Sequence, residues 1–213
     1  MGMGEVSICY GMTETSPVST QTSRDDSVDR RVSTVGRVHP HVEIKVIDQD
    51  GQTVPRGVPG ELCTRGYSVM RGYWEREDET EKVFTKDGFF KTGDVGFMNE
   101  HGFVKLVDRK KDMILRGGEN VFCTEVEGSI YEHPAVYEAA VFGVPHERLG
   151  EEVAVAIFPK EGVSITAEDL WKFLDGKISS FKVPNHVVLM NEPLPRNAAG
   201  KFLKTALRDG VAN

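Results

Sequence analysis

Val42, Ile44 and Val46 alternate with Glu43 and Lys45, a two-residue period that puts the apolar side chains on one face of an extended segment and predicts a half-buried strand. The run DQDG at 48–51 then supplies a turn, and a second strand is expected around 61–65, after the Pro/Gly-rich VPRGVPG. Further turns are expected at 86–88 and 99–102. Their short spacing predicts a β-rich unit over residues 1–108, a small barrel or sandwich. After residue 116 the pattern changes. Thr124 with Glu127 has capping-box spacing and Val126 with Ile130 recurs at i and i+4, which predicts a helix over 124–131 closed by His133-Pro134. Strands are expected at 136–144, 152–158 and 187–190. Thr166 and Asp169 should cap a second helix whose apolar side is Leu170, Phe173, Leu174 and Ile178. The whole reads as an α+β chain: a β-rich subdomain, a junction at 109–115, and a compact α+β domain at 116–213. The junction region, VDRKKDMILRGGEN, runs from charged to apolar to Gly-Gly, a composition suited to a hinge.

Composition bounds the chemistry. The chain has 213 residues and a formal charge of −7, so it can bury a real core without disulfides. Cys9, Cys63 and Cys123 are far apart and form no C-x-x-C pair. That argues against a zinc module, predicts three small buried thiols, and points to a reducing, cytoplasmic compartment. The longest apolar runs are about a strand long, well short of the roughly 20 residues of a membrane span, and the N-terminus does not read as a secretion signal. Net acidity argues against a nucleic-acid surface, which needs a basic face. Residues 109–116 and 196–208 nevertheless hold four Lys or Arg each. A solvated surface accounts for such clusters, and a small phosphate-rich ligand would too.

Four constellations carry candidate chemistry. In Tyr10-Gly11-Met12-Thr13-Glu14-Thr15, a hydroxyl and a carboxylate beside glycine suit a phosphate and Mg²⁺, or else Thr13 simply caps a helix. In Thr92-Gly93-Asp94, an acidic residue after a tight glycine turn suits two vicinal hydroxyls, or is an ordinary turn. Arg109 could make charge-assisted bonds to ribose or phosphate, and Gly118 could let a thin ligand pass the backbone. In Pro195-Arg196-Asn197-Ala198-Ala199-Gly200-Lys201, the lysine is a mobile charge that could draw a phosphate and a carboxylate together, or an exposed loop lysine.

Taken in order, the stretches YGMTETSP, GELCTRGYSVMRGYW, FFKTGDVGFMNEHGFVKLVDRKKDMILRGGENV and PRNAAGK resemble the adenylate-forming superfamily: acyl-CoA synthetases, peptide-synthetase adenylation domains and luciferases. The likeness is nearest the fatty-acyl-CoA synthetase branch, with its medium-chain members. It implies a carboxylic acid, a fatty acid in that branch, with ATP, Mg²⁺ and CoA, giving first acyl-adenylate and pyrophosphate, then acyl-CoA and AMP. Tyr10 and Gly11 would lie at the adenine, Thr13 at phosphate, and Glu14 on Mg²⁺. Asp94 would take the ribose hydroxyls with Arg109 assisting. Lys201 would stabilise the adenylation step, Lys111 would be the hinge residue, and Gly118 would line the pantetheine path. Residues 1–108 would then be the end of a large core domain and 116–213 a mobile lid. The superfamily's Ser/Thr/Gly-rich phosphate loop has no counterpart in this sequence, so the chain is expected to need an N-terminal part to act. Three readings follow: the C-terminal portion of an acyl-CoA synthetase, inactive alone; a non-catalytic module that binds nucleotide or CoA or completes another chain; and an adenylation enzyme loading a carrier-protein thiol. Nothing replaces the absent loop, which favours the first. Homo-oligomerisation stays open.

Overall fold

The computed structural model describes residues 5–198 and 200–211. The chain divides into two compact units, Met1–Lys110 and Lys111–Asn213, and its class is α+β.

The first unit begins with strands β1 (Cys9–Gly11) and β2 (Val18–Gln21), a short helix α1 (Val28–Ser33) and β3 (Arg37–Val38). These strands form a small antiparallel sheet in the order β1-β2-β3. It continues with β4 (Val42–Ile47), β5 (Gly60–Gly66), helix α2 (Glu77–Val83), β6 (Phe90–Met98) and β7 (Val104–Arg109). The last four strands make an antiparallel meander, β4-β5-β6-β7. Of the two forms expected, barrel or sandwich, the strands take the second: β4 and β7 stay at opposite edges of an open sheet, and the small sheet packs on it. Tyr10, Val46, Leu62 and Val104, with Val35, Ile44 and Leu106 against them, make one core shared by the two sheets. Backbone bonds from Val35 N to Val104 O (2.9 Å) and from Val104 N to Gly36 O (2.8 Å) tie the small sheet to the meander. The opposite face of the meander is covered as well. Ile47, Cys63 and Phe89 cluster there, and the Lys45 and Arg65 side chains lie over the Phe89 ring at 4.5 and 4.3 Å, shielding it with their apolar stems.

The second unit comprises β8 (Ile114–Arg116), β9 (Glu119–Val121), α3 (Cys123–Tyr131), β10 (Val136–His146), β11 (Gly150–Pro159), α4 (Ala167–Leu174), β12 (His186–Leu189) and α5 (Lys204–Val211). β10 and β11 form a long antiparallel hairpin, β12 runs parallel to β11, and the β8–β9 hairpin joins through Gly150 and Arg116. Alternate residues of β10 serve two cores. Ala139 and Val141 face α3 and α4 with Val126, Ile130, Leu170 and Leu174. Ala140, Phe142 and Val144 face Leu194 and Leu207 of the C-terminal segment. The Thr166–Asp169 capping box forms as expected, with reciprocal bonds of 3.0 and 3.1 Å, although Ile178 lies beyond the end of α4.

Two local expectations are corrected. Helix α3 starts at Cys123 after Phe122, with no side-chain cap. Glu127 is not half of a capping box: its carboxylate accepts from Val141 N at 2.8 Å and pairs with Lys204 at 2.8 Å, stapling the helix to β10 and α5. Cys9 is not buried either. It alternates with Tyr10 along β1, so burying the ring exposes the thiol. Cys63 and Cys123 are fully buried, and burial pushes the Cys63 thiol up to about 12, far from the thiolate that reacts. A maleimide at neutral pH should therefore label Cys9 quickly and Cys63 and Cys123 only on unfolding, with mass spectrometry giving one rapid adduct.

Among the described residues, no helix is long and apolar enough to cross a membrane.

Candidate functional site

In the first unit two of the expected nucleotide residues, Tyr10 and Arg109, meet at Asp94. Asp94 and Arg109 are direct register partners on β6 and β7, which brings Arg109 Nε to 3.2 Å from Asp94 Oδ1. Tyr10, 84 positions earlier, arrives from β1, and its hydroxyl donates to Asp94 Oδ2 at 2.7 Å. The Asp94 side chain is only 10% exposed, whereas Arg109 is 52% exposed, so the pair presents its cationic member outward. Burial pushes the Tyr10 phenol far above its ordinary value; the Thr92 hydroxyl works against that and the Asp94 carboxylate adds to it. Tyr10 therefore stays protonated and serves as a donor. It is no general base. Among the described residues each Asp94 oxygen has one partner, and an ionised carboxylate offers about four lone-pair sites. Acceptor capacity remains for two further hydroxyls.

The backbone explains how Asp94 is aimed. Thr92-Gly93-Asp94 is not the tight turn expected from its composition; it lies inside β6. Gly93 has φ +72°, and the β5–β6 register slips between Glu61 and Cys63. This bulge re-aims the following side chain, a usual consequence of such irregularities beside functional sites. Thr92 Oγ1 donates to Leu62 O at 2.8 Å and accepts from Asp94 N at 3.2 Å, holding the irregular segment in place.

Residues 13–15 form one 3-10 turn after β1. Thr13 is exposed and does not cap it. Met12 occupies the cap position, and Met12 N donates to Thr15 Oγ1 at 3.0 Å. Glu14 is half-buried; its Oε1 accepts from the Tyr73 hydroxyl at 3.1 Å, and its carbonyl accepts from Met70 N at 2.8 Å. Tyr73 was not among the sequence candidates, though it lies in the quoted stretch GYW. Gly11 has a steric reason to be glycine: a Cβ there would stand 1.6 Å from Pro17 O. Among the described residues no three His, Cys, Asp or Glu side chains gather as a metal cage. Glu14 is a single carboxylate, which suits Mg²⁺ in company with phosphate oxygens, since that ion is usually held by one or two carboxylates plus substrate.

At the junction, Lys110 belongs firmly to the first unit. Its N–H donates to Gly93 O at 2.8 Å, and its ammonium pairs at 2.7 Å with Glu61, whose side chain is 8% exposed. In the second unit, Asp112 O accepts from Cys123 Sγ at 2.8 Å. Lys111 lies between these anchors and is exposed. Arg109 closes β7 and Ile114 opens β8, so within 109–115 only residues 110–113 lie outside strands. Gly117 and Gly118 are not loose linker. Their φ values of +60° and +89° make the two-residue turn of the β8–β9 hairpin, the primed type that favours glycine at both positions, and Gly117 N donates to Leu149 O at 2.8 Å. Among the described residues, and apart from its chain neighbours, nothing lies within 4 Å of where a Gly118 Cβ would be.

Lys201 is exposed on a tight loop. Its backbone is closed on Asn197 by bonds from Asn197 N to Lys201 O (2.9 Å) and from Lys201 N to Asn197 Oδ1 (3.0 Å). The loop therefore offers a rooted backbone and an exposed lysine side chain.

Two family models match separate stretches of the chain. The model of the AMP-binding enzyme family matches residues 1–74, and that of the AMP-binding enzyme C-terminal domain matches residues 125–201. The chain is 45% identical over 210 residues to the putative acyl-CoA synthetase YngI of Bacillus subtilis, covering 98% of this chain and 38% of that protein. It is 42% identical to the mitochondrial medium-chain acyl-CoA ligase ACSF2 of Bos taurus, covering 98% of this chain and 34% of the relative. Among solved structures, ATP-bound MatB from Rhodopseudomonas palustris superposes with a TM-score of 0.88 at 38% identity, covering 98% of this chain and 41% of that one. The chain thus spans well under half the length of the relatives it matches.

Proposed function

Since the chain belongs to the adenylate-forming superfamily, in its acyl-CoA synthetase branch, we propose that it is the C-terminal portion of an AMP-forming acid–thiol ligase acting on a fatty acid. The observation that carries this reading is the nearly buried Asp94 carboxylate, held by Tyr10 and Arg109 with acceptor capacity left over. That is the arrangement a ribose diol requires.

In this reading a fatty-acid carboxylate oxygen attacks the α-phosphorus of ATP. The new P–O bond forms as the bond to pyrophosphate breaks. The thiol sulfur of CoA, its proton lost to solvent, then attacks the acyl carbon, and AMP leaves. Such chemistry depends on positioning and charge neutralisation more than on a covalent nucleophile. Tyr10 and Gly11 flank the base, Thr13 meets phosphate, Asp94 and Arg109 take the ribose, and Lys201 meets the charge that develops during adenylation. Glu14 would hold Mg²⁺, which neutralises phosphate charge when bound. Lys111 is the hinge residue, and Gly118 gives the pantetheine arm room to pass.

The test uses the full-length protein containing this segment. Incubated with ATP, Mg²⁺, CoA and fatty acids of graded length, it should release pyrophosphate and form acyl-CoA, both followed by mass spectrometry. Acyl-adenylate that persists with CoA present and moves only to a carrier-protein thiol would replace the proposed acceptor. No pyrophosphate release with any acid would favour a binding module.

A further inference from the structure

The loop that carries Lys201 is anchored to the core of the second unit by one buried acid. Glu138 lies on β10 at 9% exposure, in a run whose next six residues are buried and apolar or glycine. A charge in that position needs partners, and among the described residues it has two. Glu138 Oε2 accepts from Leu194 N at 2.8 Å, and Oε1 accepts from Arg196 Nη2 at 2.7 Å. Leu194 N and Arg196 bracket the start of the lysine loop.

Arg196 passes the anchor on. Its second terminal nitrogen, Nη1, donates to Gly200 O at 2.7 Å, and its guanidinium lies 4.2 Å from the Phe202 ring centroid. Gly200 O is one end of the peptide bond that precedes Lys201. The other end, Lys201 N, donates to Asn197 Oδ1 at 3.0 Å. Both poles of the peptide unit at the root of Lys201 are therefore held, and through Arg196 they are referred to β10. Only a planar, forked donor can bridge the Glu138 carboxylate and the Gly200 carbonyl at once; a lysine ammonium is a point charge on a flexible stem.

We propose that Glu138, acting through Arg196, is a positioning residue for Lys201: it sets where the lysine's backbone root stands so that the ammonium reaches the reacting phosphate and carboxylate. This rests on the reading of Lys201 as the adenylation lysine. The pair is buried only at its Glu138 end, and neither a half-exposed nor a buried ion pair adds much net stability, so geometric control is what this pair supplies.

The experiment uses the full-length enzyme and measures its two half-reactions separately, with K201A as reference. E138Q removes the charge from both acceptors and sets an amide NH2 against either Leu194 N or Arg196, while R196K keeps the charge and loses the bridge. Each should lower kcat for acyl-adenylate formation by on the order of tenfold to a hundredfold, the scale of a 1 Å misplacement. KM for ATP and thioester formation from supplied acyl-adenylate should stay within about twofold. The E138Q/R196K double variant should be no slower than the slower single, because the two act as one unit. If K201A stops adenylation while E138Q and R196K leave it intact, the positioning role is overturned and the reading of Lys201 stands. Equal loss in both half-reactions would make Glu138 a support of the fold alone. If K201A adenylates normally, the underlying reading fails. R196K, altered at a residue that is 44% exposed, keeps the test informative where E138Q does not fold.

Discussion

Replacing Lys201 by alanine in the full-length enzyme should reduce acyl-adenylate formation by on the order of 10²–10³, the loss found when one preorganised charge-stabilising donor is removed. Thioester formation from supplied acyl-adenylate should change by less than about threefold. The asymmetry follows from where charge develops. During adenylation the carboxylate approaches a phosphate that already carries negative charge, and a cation lowers that barrier. During thioester formation, in the proposed reading, the second unit has turned about the Lys111 hinge and carried Lys201 away from the phosphate, so its charge no longer acts on the reacting groups. The loop supports this view of the residue. Its backbone is closed by Asn197, whereas the ammonium is exposed, so the substitution removes charge without opening a core and should leave the thermal midpoint within a degree or two. The two rates can be read as ATP–pyrophosphate exchange and as acyl-CoA yield from synthetic acyl-adenylate. A matching drop in both would show that Lys201 acts in a shared step or in folding.

Much of the fold was legible where one face of an element is apolar. The alternation at Val42, Ile44 and Val46 and the Thr166–Asp169 box are local signals, and the structure agrees with both. The readings that failed depended on partners distant in sequence. Thr124–Glu127 has the spacing of a cap, but Glu127 is taken by Val141 N and Lys204, which no local pattern shows. Thr92-Gly93-Asp94 has the composition of a turn, yet strand pairing on both sides keeps it in β6 as a bulge. The candidate site shows the same division. Motif spacing singled out Tyr10, Asp94 and Arg109, while the hydrogen bond that joins Tyr10 to Asp94 across 84 positions exists only in the folded unit. Glu138 had only a faint signal, a lone acid in an apolar strand, and its partners Leu194 and Arg196 lie 56 and 58 residues away.

Asp94 should separate recognition from folding. In D94N the carboxamide remains the size of the carboxylate, and the Tyr10 hydroxyl can turn from donor to acceptor and stay paired. Arg109 loses a charged partner, but it is half exposed and water replaces that bond at little cost. Folding should therefore suffer by about 1 kcal/mol. In D94A the buried Tyr10 hydroxyl loses its carboxylate acceptor and keeps only the Thr92 hydroxyl beside it, and losing such a partner in a buried site costs about 1–3 kcal/mol, so the thermal midpoint should fall further than in D94N. Nucleotide binding should rank the two variants differently. A charged acceptor for a hydroxyl is worth about 1.5–3 kcal/mol, roughly 10- to 150-fold in affinity. Both variants lose that acceptor, so AMP measured by calorimetry on the full-length enzyme should weaken by a similar factor in each despite their unequal stabilities. The ribose assignment itself is tested with 2′,3′-dideoxy-AMP. The unsubstituted enzyme should bind it more weakly than AMP by about the factor lost in D94N, and D94N should scarcely distinguish the two ligands, because the carboxylate that reads the hydroxyls is gone. If D94N still discriminates fully, the hydroxyls are read elsewhere, and Asp94 serves only to hold Tyr10 against β6.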